Sequence, residues 1–293
     1  MGKITSMSID NGRITSATQL YAVIGDPIRH SKSPLMQNAA LNSCQIDAVY
    51  TAFHVKPEQL QACVEGMRAL GIQGMNVTIP HKEQVMKLLD ELDHSAQVIG
   101  AVNTIVNDNG RLIGYNTDGM GYVRSLKEET GADLQSSRIL MIGAGGAARG
   151  LAYALLNEGC EQLTIANRTL ERAHAIAAEL QAFGSIQVAQ LEDGRPDILP
   201  EEVDVVINTT SVGMHPAVEI SPMDKSWLRS SMIVSDIIYN PLMTQLLHDA
   251  EEIGAVTHSG LGMFVYQGAI AFELWTGQQA PVHVMREAVL QAL

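Results

Sequence analysis

The chain of 293 residues is poor in positive charge: 19 Lys and Arg stand against 32 Asp and Glu, a formal net charge of −13. A nonspecific nucleic-acid binder needs a basic surface to displace counterions, so that class is excluded. Cysteine is almost as scarce. Cys44, Cys63 and Cys160 are odd in number and show neither C-x-x-C nor metal-ligand spacing, which excludes a disulfide framework and fits a reducing, cytoplasmic setting. No apolar run approaches the ~20 residues of a membrane-spanning helix, and no signal-peptide core opens the chain, so no membrane partner is expected. Repeats and low-complexity tracts are lacking too. His30, His81 and His258 are too scattered for a compact ligand set, and no metal is expected. Residues 1–19 are polar and unpatterned and are expected to lie outside the fold. What remains, with 46% hydrophobic residues, can bury large sheets and is long enough for two domains.

The most informative stretch runs from Arg138 to Arg172. An apolar run, Arg138–Ile142, enters Gly143-Ala144-Gly145-Gly146-Ala147-Ala148, and a helical pattern continues through Leu156. A second apolar run, Leu163–Ala166, ends in Asn167-Arg168-Thr169-Leu170-Glu171-Arg172. Strand, glycine turn, helix and strand make the first half of a dinucleotide-binding unit. Gly143 permits the tight turn, Gly145 lets backbone approach a pyrophosphate, and the helix N-terminus supplies N–H groups and the positive end of its dipole. An NAD site usually places Asp or Glu at the end of the second strand for the ribose 2′-hydroxyl. Here Asn167 and Arg168 stand there, with Arg172 one turn later. Two guanidiniums favour a 2′-phosphate, so the expected cofactor is NADP.

The chain alternates strand and helix on both sides of this unit. Strands are expected at Tyr21–Gly25, Val49–Val55 and Met75–Ile79, helices at Ser33–Cys44, Pro57–Leu70 and His81–Leu89, and a hairpin at Ala101–Tyr115 turning on Asn109-Gly110. Further strands are expected at Ile186–Ala189, Val203–Asn208, Met232–Asp236 and Ala255–Thr257. Helices are expected at Gly119–Glu129, Pro241–Ile253, Gly262–Trp275 and Pro281–Ala292. The pattern predicts an α/β fold of two domains. The first is an open, mostly parallel sheet formed by residues 20–122, with 263–293 packing back on it. The second is a Rossmann-type domain at 123–262.

Four segments of the first half put hydroxyls, amides or charges at strand ends and turns: His30–Pro34, Asn76–Lys82, Ala101–Thr104 and Asn116–Gly119. Such loops of one open sheet can converge on a small polar ligand. With Gly25–Pro34, the glycine loop, Asn167-Arg168-Thr169 and Gly262–Gln267, they carry a resemblance. From about Tyr21 to Leu293 the chain resembles the shikimate dehydrogenase family, including its quinate/shikimate branch.

The resemblance implies reversible hydride transfer between NADP(H) and the 3-position of the shikimate ring, a step of chorismate and aromatic amino-acid biosynthesis. It implies Lys82 and Asp118 as the catalytic pair. Ser31 and Ser33 would hold the substrate carboxylate, Asn76, Thr78, Asn103 and Gln267 would face ring hydroxyls, and Tyr239 would help enclose the ligand. Gly143, Ala144, Gly145, Gly146, Ala147, Asn167, Arg168, Thr169, Arg172 and Gly260 would contact the cofactor. Elementary chemistry agrees: reducing a ketone needs a donor at the developing alkoxide, which a lysine ammonium supplies. Two alternatives remain open, a dual quinate/shikimate dehydrogenase using NAD or NADP and a non-catalytic nucleotide-binding regulator. A monomer or a homodimer would fit.

Overall fold

The computed structural model describes residues 14–198 and 202–293. Two α/β domains are built on two sheets. The first sheet takes β1 (Gln19–Gly25), α1 (Ser33–Ser43), β2 (Ala48–His54), α2 (Leu60–Ala69), β3 (Gly74–Val77), β4 (Glu91–Leu92), α3 (His94–Ile99), β5 (Thr104–Asp108) and β6 (Arg111–Tyr115). Its order is β2-β1-β3-β5-β6-β4. The β2-β1-β3 part is parallel, whereas β5 runs antiparallel to β3 and β6. The start of β5 therefore lies at the same edge as the C-terminal ends of β1, β3 and β6. Three of the four polar loops follow strands, and the Ala101–Thr104 segment leads into one.

Helix α4 (Asp118–Thr130) leads to the second sheet. This takes β7 (Arg138–Ile142), α5 (Gly146–Asn157), β8 (Gln162–Asn167), α6 (Leu170–Leu180), β9 (Ile186–Glu192), β10 (Arg195–Pro196), β11 (Val205–Asn208), β12 (Ile233–Asp236), α7 (Gln245–Glu252) and β13 (Val256–His258). The order β10-β9-β8-β7-β11-β12-β13 reproduces, from β9 to β13, the doubly wound arrangement of a dinucleotide-binding domain, its switch point between β7 and β11. In this sheet, among the described residues, only the edge pair β9-β10 is antiparallel.

The chain then returns. Helix α8 (Gly260–Thr276) lies along α4, and α9 (Val282–Leu290) lies along α1. Leu261, Val265, Phe272, Met285 and Val289 from these helices join Val23, Met36 and Tyr50 in one buried cluster under the first sheet. Each such apolar side chain removed from water contributes about 1.5–3 kcal/mol. Trp275, near the end of α8, stacks on Tyr21 at 5.2 Å between ring centroids and donates its indole N–H to the Ile105 carbonyl at 3.0 Å. The boundaries expected at 122/123 and 262/263 fall inside α4 and α8, continuous helices that pack on each other.

Several expected elements differ. Strand β1 begins at Gln19, paired with Ala48, so the first sheet reaches into the stretch expected to lie outside the fold; residues 1–13 of that stretch lie outside the described residues. No α-helix spans His81–Leu89. The Lys82 carbonyl accepts from the Val102 N–H at 2.8 Å, and only a 3₁₀ turn forms at Gln84–Leu88. The unexpected α3 is capped by Asp93, which accepts from Ser95 N at 2.9 Å, and closed by Gly100 in the left-handed region. Helix α7 starts at Gln245 rather than Pro241, after an extended Thr244 whose hydroxyl turns to Asp236 at 2.8 Å.

Candidate active site

Three strand ends and one strand start converge on a pocket of about 400 Å³. It is lined by Ser31, Ser33, Asn76, Thr78, Lys82, Asn103, Asp118, Tyr239, Gly260 and Gln267, among others. The structure thus brings together every residue expected to meet substrate, from the first sheet, the loop after β12 and helix α8.

Lys82 sits on the turn after β3. The turn is anchored by the buried His81, whose Nε2 lies 2.6 Å from the Val55 carbonyl oxygen. This explains that histidine without a metal, and among the described residues no group of three or more His, Cys, Asp or Glu side chains could hold one. Lys82 donates through Nζ to Asp118 Oδ2 at 2.7 Å, with both side chains partly exposed to the cleft. Asp118 opens α4, but Thr117 takes the cap position, so the carboxylate is not consumed in capping. Its second oxygen accepts from Asn103 Nδ2 at 2.7 Å. The pair is held from two sides, in the first turn of a helix whose dipole favours the negative charge.

Ser33 does not cap α1 with its side chain; Lys32 occupies the cap position and Pro34 the first turn. Ser31 Oγ accepts from Ser33 N at 3.3 Å. The Asn76 amide is spent on protein: it accepts from the Tyr50 hydroxyl at 2.7 Å and donates to the Asn103 carbonyl at 3.2 Å and Thr104 Oγ1 at 3.1 Å. Asn103 is similarly engaged. These two asparagines shape the pocket floor as much as they face it. Gln267 donates to the Phe264 carbonyl at 2.8 Å on its own helix. Tyr239 stacks on Phe264 at 4.9 Å, and burial raises its hydroxyl's pKa.

Residue reasoning missed the apolar wall of the pocket, Ile237, Met263 and Phe264. The Gly262–Gln267 stretch signalled the last two, and Ile237 lies two residues before Tyr239. Gly260 starts α8 against the loop after β12, where a Cβ would collide with the Ile237 carbonyl. Beneath that loop the buried Asp236 carboxylate accepts from Ile238 N, Asn208 Nδ2 and Thr244 Oγ1, yet desolvation still raises its pKa.

A second recess continues from the pocket past Lys82 and Asp118 to Gly146, Ala147 and Arg149 at the start of α5. Gly143 has φ +105°, and a Cβ on it would meet Thr210 and Thr209 at 2.7–2.8 Å, so a close turn demands glycine. At Gly145 and Gly146 a Cβ would enter open space at the helix N-terminus, room for backbone N–H groups to receive an anion. At the end of β8, Asn167 Nδ2 donates to the Thr169 carbonyl at 2.8 Å, and Thr169 takes the cap position of α6 in an extended conformation without a side-chain bond to the helix. Arg168 and Arg172 are exposed here, and neither guanidinium pairs with an acid among the described residues. The cradle and its two unpaired cations fit a dinucleotide bearing a 2′-phosphate.

Three family models cover most of the chain: the shikimate dehydrogenase substrate binding domain at residues 23–105, shikimate / quinate 5-dehydrogenase at 125–239, and the shikimate 5′-dehydrogenase C-terminal domain at 260–290. The chain belongs to the shikimate dehydrogenase family. It is 52% identical over 275 residues to the shikimate dehydrogenase (NADP(+)) of a Geobacillus species, covering 94% of this chain and 99% of the relative. The structure of Thermus thermophilus shikimate 5-dehydrogenase in complex with NADP(H) and shikimate matches with a TM-score of 0.84 at 36% identity, over 94% of this chain and 100% of that one. A Corynebacterium glutamicum quinate dehydrogenase in complex with NAD matches with a TM-score of 0.85 at 30% identity, over 94% and 99%. Among the described residues, no helix of this family member is long and apolar enough to cross a membrane.

Proposed function

We propose that this chain is an NADP-dependent shikimate dehydrogenase, reducing 3-dehydroshikimate reversibly to shikimate in aromatic amino-acid biosynthesis. The observation that carries the reading is the Lys82–Asp118 pair at 2.7 Å, placed where the polar pocket meets the recess leading to the glycine turn. When bound, NADP(H) supplies or accepts the hydride at the carbon end of the carbonyl. Lys82 gives a proton to the ketone oxygen as alkoxide character develops, and takes it back in the oxidation direction. Asp118 keeps the ammonium aimed at that oxygen. Ser31 and Ser33 hold the carboxylate with hydroxyl donors. Thr78, Asn103 and Gln267 read the ring hydroxyls, Asn76 fixes the floor, and Tyr239 with Phe264 closes the apolar side against water.

Gly143, Ala144, Gly145, Gly146 and Ala147 would hold the cofactor's pyrophosphate, and Asn167, Arg168, Thr169 and Arg172 its adenosine 2′-phosphate, with Gly260 on the nicotinamide side. The substrate lobe of this reading is 20–122 with 263–293, and the cofactor lobe 123–262, joined through α4 and α8. The three free cysteines agree with a cytoplasmic enzyme, working as a monomer or homodimer. The deciding experiment is steady-state oxidation of shikimate and quinate, each with NADP+ and NAD+. Strong preference for shikimate with NADP+ supports the reading. Comparable quinate turnover, or good activity with NAD+, moves the chain to the dual-specificity branch to which the Corynebacterium likeness points. Tight NADPH binding without turnover would leave a nucleotide-binding regulator.

A further inference from the structure

Behind the pocket runs a continuous line of hydrogen bonds. At one end is Tyr50, at the other the Lys82–Asp118 pair. The Tyr50 hydroxyl donates to Asn76 Oδ1 at 2.7 Å, and Asn76 Nδ2 donates to Thr104 Oγ1 at 3.1 Å. Thr104 Oγ1 in turn donates to Asn103 Oδ1 at 3.0 Å, and Asn103 Nδ2 donates to Asp118 Oδ1 at 2.7 Å. Lys82 reaches the other Asp118 oxygen.

Two properties set this line apart from ordinary core polarity. Every donor of the line points the same way, from Tyr50 towards the Asp118 carboxylate, so successive bonds polarise one another and terminate on a negative charge. Every member before Asp118 is also buried: Tyr50 and Asn103 are 3% exposed, Asn76 7% and Thr104 0%. A link broken at Tyr50 or Thr104, neither of which lines the pocket, therefore cannot be repaired by bulk water. Burial holds the Tyr50 pKa well above the ordinary phenol value, so it stays a donor throughout the working range of pH. Tyr50 does not itself line the pocket.

We propose that Tyr50 is a positioning residue for the reaction, holding the Lys82–Asp118 pair in place from behind the pocket through Asn76, Thr104 and Asn103. The proposal rests on the shikimate dehydrogenase reading. Without the Tyr50 hydroxyl, Asn76 Oδ1 is a buried acceptor lacking its partner. The amide is then anchored only through its nitrogen, and the line that aims Thr104 and Asn103 at Asp118 loses its first link, although Thr117 still bonds Asn103.

Tyr50→Phe removes one oxygen and keeps the ring, which lies 6.0 Å from that of Trp275. In shikimate oxidation with NADP+, kcat is expected to fall about tenfold and the KM for shikimate to rise several-fold, the size of effect that one lost buried hydrogen bond carries. NADPH affinity, read by fluorescence titration, is expected to stay within twofold, because no member of the line touches the glycine turn. Thr104→Val cuts the same line beyond Asn76 and serves if Tyr50→Phe does not fold. In the double variant the losses in kcat should not multiply, as they would for two independent structural defects. Tyr50→Phe with kcat and KM both within twofold of the parent overturns the proposal, as do multiplying losses or an equal fall in NADPH affinity. A parent protein that does not turn over shikimate overturns the functional reading itself. An active parent with an unaffected Tyr50→Phe overturns only the role of Tyr50.

Discussion

Lys82 Nζ and Asp118 Oδ2 lie 2.7 Å apart although 36 residues separate them in the chain. One stands on a turn held by His81, the other in the first turn of α4, so neither is free to drift from its partner. Replacing Lys82 by Ala is expected to lower kcat by about 10²-fold or more while the KM for shikimate changes far less, since in the proposed mechanism the ammonium acts mainly on charge that develops in the transition state. Steady-state kinetics check this. A KM effect with kcat intact would reduce Lys82 to a binding group.

Gly143 and Gly145 should separate stability from ligand binding. Gly143→Ala forces a left-handed φ and a clash with Thr209 and Thr210, and is expected to cost about 2 kcal/mol or more of folding stability. A Cβ at Gly145 meets no protein atom within 4 Å, and its φ of −101° suits alanine. Gly145→Ala should leave the melting temperature nearly unchanged and weaken NADPH binding. Thermal melts with and without NADPH distinguish the two. A Gly145→Ala protein that binds NADPH as the parent does would remove the pyrophosphate from that position.

Arg168 and Arg172 are expected to carry the choice of cofactor. Substituting either by Ala is expected to weaken NADP+ binding by about tenfold, as for loss of a charge-assisted hydrogen bond, with little effect on NAD+. Dissociation constants for both nucleotides decide it. An equal loss for the two would mean that the guanidiniums attract anions generally and do not select the 2′-phosphate.

His258 should make folding sensitive to mild acid. It is buried between Ser125, Ser235 and the Tyr122 ring, with Glu129 and Arg286 nearby, and burial pushes its pKa down from 6.5 to about 4. Below pH 6.5 the unfolded chain takes up a proton that the native protein refuses until about pH 4. Stability is thus complete above the unfolded value and falls as pH drops through that window, by about 3 kcal/mol in all. Denaturant titrations between pH 7 and pH 4 should show this slope, and His258→Gln should flatten it. A slope that survives the substitution must belong to another group.

Some of this architecture could be read directly from residues, and the reason differs from place to place. The β7-turn-α5-β8 unit was legible because two independent constraints coincide there: apolar runs of strand length, and glycines where backbone geometry or ligand approach forbids a side chain. Lys82 and Asp118 were legible through the motifs that contain them, yet no local pattern says that they meet. The region after Lys82 was misjudged because its helical pattern loses to one long-range bond, from Val102 N–H to the Lys82 carbonyl. Tyr50 was invisible for a different reason. A tyrosine in an apolar strand reads as core, and its hydroxyl gains meaning only from Asn76, 26 residues away. Trp275 likewise acquires a role only beside Tyr21 and Ile105.

The return of α8 and α9 to the first sheet fixes an order of events during synthesis. The strands of the first sheet leave the ribosome early, but the side chains that cover one of its faces, from Leu261 to Val289, arrive only after the whole second sheet has emerged. The nucleotide-binding lobe can therefore close its core on the nascent chain, while its neighbour waits with an uncovered apolar face. Chaperone engagement during translation should concentrate on that face, and a nascent chain whose first 259 residues have left the ribosome should present one finished lobe and one sticky one.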